Sequence, residues 1–407
     1  MLKRVLIFLL VIAIYMPVKA QQVTYAMDTS AQQHDKSHLR ISILTGGPGV
    51  DPFETFGHTC IRIIDSTKLG GERDVIYNYG FFETSEGNSI LHQFLTVRVR
   101  VLLDTITYDE LITEYVIKKR GLTEQLLLLD DRQKESILSF LKNNMSDRYY
   151  YYDASYDNCT TRTRDLFPKV LGKSFVFGQT IPQNSRLTFR GASLNTYCPQ
   201  QHKYWYGLLL NLIYGSRTDK VIDNAEAMYL AAYLSGGLNG ATLNGQKVFG
   251  DKKVILEDKV PWPSETNEPF IIFLVLSLIT IFSLSFARLR ILGAIMSSLL
   301  LFLTGLSGCF MVYLWCANLE PAWKDNFNIL WALPTNLIIP FFGPKIKAKY
   351  ALAAMCLLGL ALVIDLLKVQ VMPLFEIGSL LVALLYIYFI MYRKGKPKLP
   401  LSNPSNS

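Results

Sequence analysis

Five apolar stretches occupy the last third of the chain, and that much uncharged sequence belongs in lipid rather than in one soluble core. They run over residues 270–287, 291–315, 327–342, 350–367 and 373–392, after a linker containing Val260-Pro261-Trp262-Pro263. Each approaches the ~20 residues that a helix needs to cross the hydrocarbon of a bilayer, the third being shortest. Arg288 and Arg290 follow the first stretch, Lys345, Lys347 and Lys349 the third, and Arg393, Lys394, Lys396 and Lys398 the fifth. The loops between, 316–326 and 368–372, carry a single Lys each. Alternate loops are therefore basic, and the excess of Lys and Arg on the cytoplasmic side places residues before the first span outside and the C-terminus inside.

The N-terminus agrees independently. Lys3 and Arg4 precede an apolar run from Val5 to Met16, and Val18-Lys19-Ala20 puts small residues before Gln21, the pattern of a secretory signal. The expected organisation is a signal peptide at 1–20, an exported domain at 21–260, a linker at 261–269, five transmembrane helices at 270–393 and a cytoplasmic tail at 394–407. The net charge of +8 is dispersed between and after the apolar spans rather than gathered in one patch, which argues against nucleic acid as a partner.

Within 21–260, residues 39–45, 56–65, 74–79 and 96–105 have strand patterns, the last alternating Val97, Val99 and Val101 with Arg98 and Arg100. Residues 108–119, 131–143 and 160–171 have helical spacing. The class is α+β, followed by an all-α membrane domain. The third apolar stretch is irregular, with Pro334, Asn336 and Pro340 inside it. An amide at that depth is costly unless it faces protein or a watery groove. Asn336 thus suits either an interhelical hydrogen bond or a path for a lipid substrate.

Two segments carry chemistry: Phe56-Gly57-His58-Thr59-Cys60-Ile61-Arg62 and Tyr156-Asp157-Asn158-Cys159-Thr160-Thr161-Arg162. The first puts a His at the start of a strand. The second puts a Cys at the start of a helix, where unsatisfied N–H groups and the macrodipole favour a thiolate. A nearby imidazole would take the thiol proton and return it to a leaving group. Asp157 or Asn158 can cap that helix. Arg62 suits bidentate binding of a phosphate or an ion pair with a neighbouring carboxylate. Of the cysteines outside the spans, Cys60, Cys159 and Cys198 make an odd number, so at least one is free or joins another chain. His34, His38, His92 and His202 lack metal-ligand spacing and are expected on the surface.

A His on an early strand followed by a Cys on a later helix resembles the circularly permuted papain-like folds, among them the NlpC-related hydrolases and the lecithin retinol acyltransferase group. The chain resembles more closely the Bacteroidetes envelope family Lnb, the lipoprotein N-acyltransferases. The likeness rests on Gly47-Pro48-Gly49, Phe56-Gly57-His58, Tyr77-Asn78-Tyr79-Gly80-Phe81, Asn158-Cys159-Thr160-Thr161-Arg162, Ala225-Glu226-Ala227-Met228-Tyr229-Leu230 and Asn328-Ile329-Leu330-Trp331-Ala332-Leu333-Pro334. It spans nearly the whole chain after the signal, departing from the family pattern around Thr84-Ser85-Glu86-Gly87-Asn88.

The resemblance implies an acyl chain moved from a phospholipid to the N-terminal amine of a diacylated lipoprotein, at the outer face of a bacterial inner membrane. Cys159 would be the nucleophile, His58 the base and Asn78 the orienting third group. Arg62, Asn158, Arg162 and Asn336 are the expected substrate contacts, with no metal and no organic cofactor. A tethered peptidase or amidase acting on peptidoglycan would use the same dyad but needs only one anchor, whereas five spans fit a lipid substrate; a lipid-binding envelope scaffold would need no catalysis.

Overall fold

The computed structural model describes residues 38–66, 73–82, 93 and 98–395. The expected signal peptide, His34, His92, the segment 84–88 and the tail from residue 396 lie outside the described residues.

The exported half is built on a seven-stranded sheet in which every neighbour is antiparallel. In chain order the strands are β1 (Leu39–Gly46), β2 (His58–Asp65), β3 (Arg73–Phe82), β4 (Arg100–Thr107), β5 (Leu122–Leu126) and β6 (Tyr149–Tyr151). Three short strands, β7 (Phe175–Val176), β8 (Thr242–Leu243) and β9 (Gln246–Lys247), form a second sheet, and β10 (Lys253–Leu256) returns to the first. Its order is β10-β5-β1-β2-β3-β4-β6. Among the described residues seven helices accompany them: α1 (Tyr108–Ile117), α2 (Asp131–Ser146), α3 (Cys159–Leu171), α4 (Phe189–Gln200), α5 (Tyr204–Ile213), the single turn α6 (Asn224–Ala227) and α7 (Ala231–Asn239).

Strand periodicity explains how the sheet is covered on both sides. Ile41 and Ile43 of β1, Ile61 and Ile63 of β2, and Tyr77 and Tyr79 of β3 point to one face. There they pack with Ile137 and Leu141 of α2, Leu166 and Phe167 of α3, and Leu234 and Leu238 of α7. The alternate residues Leu44, Cys60 and Ile76 meet Leu111, Ile112 and Tyr115 of α1 on the other. Burying each Ile or Leu contributes roughly 1.5–3 kcal/mol, so this two-sided core fixes the register of β1 and β2. Capping boxes start the helices where the apolar spacing begins, Thr107 with Glu110 on α1 and Asp130 with Gln133 on α2.

The membrane half contains four helices long and apolar enough to cross a bilayer: α8 (Glu268–Ser285), α9 (Arg290–Ala317), α10 (Pro344–Leu366) and α11 (Leu374–Gly395). Four of the five expected spans are thus long α-helices, and the third is not. The third apolar stretch forms short 3₁₀ turns at Phe327–Leu330, Pro334–Leu337 and Ile339–Phe341. Pro334 and Pro340 each lack the N–H that an α-helix would need. The stretch also lies directly on α9: a Cβ added to Gly308 would stand 1.8 Å from the Ala332 oxygen, and one on Gly305 would stand 2.7 Å from the Leu337 nitrogen. At the 3₁₀ rise of ~2.0 Å per residue this short segment reaches farther than it would at ~1.5 Å as an α-helix.

The two halves share packing. Leu208 of α5 belongs to the apolar cluster of the membrane helices. Asn326 donates to the carbonyls of Leu212 and Ile213 at 2.7 and 3.1 Å, and Asn328 donates to that of Leu212 at 3.1 Å.

Candidate active site

β2 and β3 pair only from Ile61↔Tyr77 to Asp65↔Arg73. Beyond Ile61 they separate, and residues 58–60 and 78–82 keep only their outer neighbours, β1 and β4. The N-terminus of α3 stands at this opening. Two glycines shape it. Gly57, at φ +77°, brings its backbone so close to the Gly46 carbonyl that a Cβ would lie 2.7 Å from the oxygen. Gly80, at φ +88°, sits where the β3–β4 register shifts, and a Cβ there would lie 3.6 Å from that of Cys159. Both need the left-handed region open to glycine.

The loop before His58 is held from behind. Buried Lys203 donates to the carbonyls of Gly49 (2.6 Å) and Asp51 (3.2 Å) and to Thr55 Oγ1 (2.8 Å). Arg120 donates to the Gly47 carbonyl from Nε and Nη2 at 3.0 and 2.8 Å. Burial lowers the Lys203 pKa to about 8. Neither residue stands out in the sequence, because each acts on a loop more than 70 positions away.

The opening brings together the three residues expected to carry chemistry. His58 Nε2 lies 2.6 Å from Asn78 Oδ1, a carbonyl oxygen that can only accept, so the proton sits on Nε2 and the other ring nitrogen is the basic one. The imidazole lies beside the Cys159 thiol, close enough for each to shift the other's titration. Burial alone would raise the thiol pKa, but His58, the Thr59 N–H freed by the parted strands and the Thr160 hydroxyl bring it down to about 7. His58 responds in kind: burial pulls it down, while the Cys159 charge and the bond to Asn78 carry it above its ordinary value. A thiol near neutrality beside a base with a fixed tautomer can act as a nucleophile.

Asn158 has a different place from the substrate contact expected of it. Its Oδ1 accepts from the N–H groups of Thr160 and Thr161 at 2.9 Å each, and its Nδ2 donates to the carbonyls of Ala154 (2.9 Å) and Tyr229 (3.1 Å). It is the buried N-cap of α3 and sets the position of Cys159. Because the cap takes the N–H groups of Thr160 and Thr161, the N–H left open at the helix terminus beside the sulfur is that of Cys159 itself.

The other expected contacts are committed elsewhere. Arg62 bonds Asp74 at 2.6 Å and Glu124 at 3.2 Å, and its guanidinium lies 3.5 Å from the centre of the Tyr108 ring. Arg162 forms a bidentate pair with Asp157 at 2.6 and 2.8 Å and stacks on Tyr150 at 3.7 Å. Asn336 lies in the membrane half, where it donates to Thr304 Oγ1 at 3.1 Å and accepts from Tyr350 and Tyr388 at 2.7 and 2.9 Å. All six cysteines are free. Cys60 is buried against α1 with its pKa raised, and burial pushes that of Cys198 up to about 12. Among the described residues, no three His, Cys, Asp or Glu form a metal-holding group.

Sequence reasoning missed Glu320, in the loop after α9. It is buried, its Oε1 has no hydrogen-bond partner, and its carboxyl lies near the N–H groups of Ala322 and Ala154. Burial, then the charge of Asp153, raises its pKa to about 8, against the pull of Arg98. Glu320 thus lies beside the Ala154 peptide, whose carbonyl receives the amide of Asn158, so a loop of the membrane half reaches the support of Cys159. A lone Glu in a loop gives no such signal.

Residues 26–187 match the family model of the Lnb N-terminal periplasmic domain, and residues 263–395 match that of the Lnb transmembrane domain. The chain belongs to the Lnb family. Together the two Lnb segments cover well over half of it, in the family's order, and describe a membrane protein with a periplasmic domain. The curated proteins and the solved structures give no match. The Lnb periplasmic match contains His58, Asn78 and Cys159, while the Lnb transmembrane match contains Glu320 and Asn336.

Proposed function

We propose that this Lnb-family chain is a thiol acyltransferase that moves an acyl chain from a phospholipid to the N-terminal amine of diacylglyceryl-cysteine lipoproteins. Cys159 attacks the ester carbonyl, and the lysophospholipid leaves with the proton held by His58. The thioester is then opened by the lipoprotein amine, whose proton returns to His58. Asn78 holds the ring in the working tautomer. On this reading the exported half is a permuted papain-like domain of the NlpC type. The enzyme works at the outer face of the bacterial inner membrane, with its C-terminus in the cytoplasm.

The observation that carries the reading is the Cys159–His58–Asn78 arrangement, with the thiol lowered to about 7 at the capped start of a helix. The burial of Glu320 beside the loop before Cys159 supports a lipid substrate, because it brings the membrane half up to the site.

The test is purified full-length protein with a diacyl lipopeptide and phospholipid vesicles. Triacylated peptide together with lysophospholipid is expected, and Cys159→Ser lowers it by at least ~10³-fold, since a hydroxyl is far less acidic than a thiol. Free fatty acid or a cleaved stem peptide, without N-acylated product, would instead identify a hydrolase.

A further inference from the structure

Tyr150 lies in the three-tyrosine strand β6, between an exposed Tyr151 and a half-buried Tyr149. It is itself buried, and its Oη has no hydrogen-bond partner. An unpaired buried hydroxyl costs about 1–3 kcal/mol, so its survival asks for an explanation. The nearby Tyr79 shows the alternative, since Asn144 donates to its oxygen at 2.7 Å.

The direction of the Tyr150 hydroxyl supplies the explanation. A Cβ on Gly80 would stand 3.7 Å from Tyr150 Oη and 3.6 Å from Cys159 Cβ. The space left by the side chain that Gly80 lacks is therefore bordered by the hydroxyl on one side and by Cys159 on the other. The ring cannot easily turn away, being held by Arg162 at 3.7 Å on its face and by Tyr79, edge-on, at 6.4 Å. Burial raises its pKa, so at neutral pH the group is an O–H donor.

We propose that Tyr150 Oη–H is a catalytic hydrogen-bond donor to the oxyanion formed when Cys159 attacks an ester or thioester carbonyl, working beside the Cys159 N–H. The proposal rests on the acyl-thioester reading of the site and names its second oxyanion donor. As sulfur bonds the carbonyl carbon, the C=O π pair moves onto oxygen, and the two donors stabilise that charge without giving up a proton. Collapse re-forms C=O and breaks the bond to the leaving alkoxide, which takes its proton from the His58 imidazolium. The same donors act again when the amine attacks the thioester. Cys159 alone supplies a single backbone donor because Asn158 has taken the next two N–H groups.

The experiment compares Tyr150→Phe with the unaltered full-length chain in two reactions of one thiol. The first is acylation of Cys159 by a p-nitrophenyl ester, read as p-nitrophenol release and as the mass of the acyl-protein. The second is alkylation by iodoacetamide, a displacement at carbon that forms no oxyanion. Loss of the hydroxyl is expected to slow acylation on the order of 10²-fold, with alkylation and its pH midpoint unchanged. Unchanged acylation overturns the proposal while leaving the thioester reading intact. An equal fall in both rates also overturns it, because Tyr150 would then only support the fold. A wild-type chain that is alkylated at Cys159 but never acylated overturns the thioester reading and this proposal together.

Discussion

Two of the polar clusters that the chain buries differ in what they leave open. Around Asn336 every group has an answer: Thr304 accepts from the amide, while Tyr350 and Tyr388 donate to its oxygen. Around Cys159 the helix cap is equally complete, yet the Tyr150 hydroxyl close by has no partner. A closed network in an apolar setting holds helices together. An open one beside a nucleophile has donors waiting for a charge that is not yet there. An intramembrane amide and a Cys–His pair are both conspicuous in a sequence, and it is the state of their hydrogen bonds that separates architecture from chemistry.

The comparison breaks most visibly at His58. In His58→Ala the midpoint of iodoacetamide alkylation at Cys159 should rise from about 7 to at least the ordinary thiol value of about 8.5. The rate at neutral pH should fall by at least ~10-fold. An unmoved midpoint would deny the pair its coupling. Next comes Asn336→Ala, which leaves the Tyr388 hydroxyl without its acceptor, while Thr304 keeps the Leu300 carbonyl and Tyr350 keeps Thr335; it should destabilise the membrane half by roughly 1–3 kcal/mol, read as an earlier unfolding midpoint in detergent. The alkylation profile of Cys159 should be unaffected. If it shifts, the two clusters are not separate.

A smaller effect belongs to Glu320. Its pKa in the fold is about 8, above the ordinary glutamate value of 4.5. Between those values the folded chain keeps a proton that the unfolded chain releases, so this residue's contribution falls as pH rises from 4.5 and is lost once pH passes 8. Glu320→Gln retains the acceptor and removes the titration. Its melting temperature relative to wild type should therefore climb across that window, and a flat difference would refute the buried-acid assignment. The smallest effect is expected from Cys60→Ala and Cys198→Ala, which should leave alkylation of Cys159 unchanged.

The meeting of Cys159, His58 and Asn78 was legible in sequence because local spacing pointed to the first two and the family resemblance added the third. His58 follows a glycine at a strand start, Cys159 follows a capping residue, and Asn78 alternates within an apolar strand. The strands around them and α1 to α3 were legible for the same reason, through alternation and caps. The third membrane stretch was misread as a helix because hydropathy records what lipid tolerates, not whether Gly305 and Gly308 invite a 3₁₀ backbone onto α9. Arg62 and Arg162 were ambiguous because a guanidinium suits a phosphate and a carboxylate equally, and Asp74 and Asp157 supply the carboxylates. Tyr150, Lys203 and Glu320 act across the fold, where no local pattern reaches them.

The end of α5 has a consequence for how this protein is made. The last carbonyls of that helix would be orphans on their own, and amides of Asn326 and Asn328 from beyond α9 meet those of Leu212 and Ile213. The donor at Asn326 is synthesised 114 residues after the Leu212 carbonyl it serves. During translation the exported half therefore emerges with a frayed seam that closes only once two membrane helices have been inserted behind it. A fragment cut at the linker, however soluble, would keep that seam open permanently.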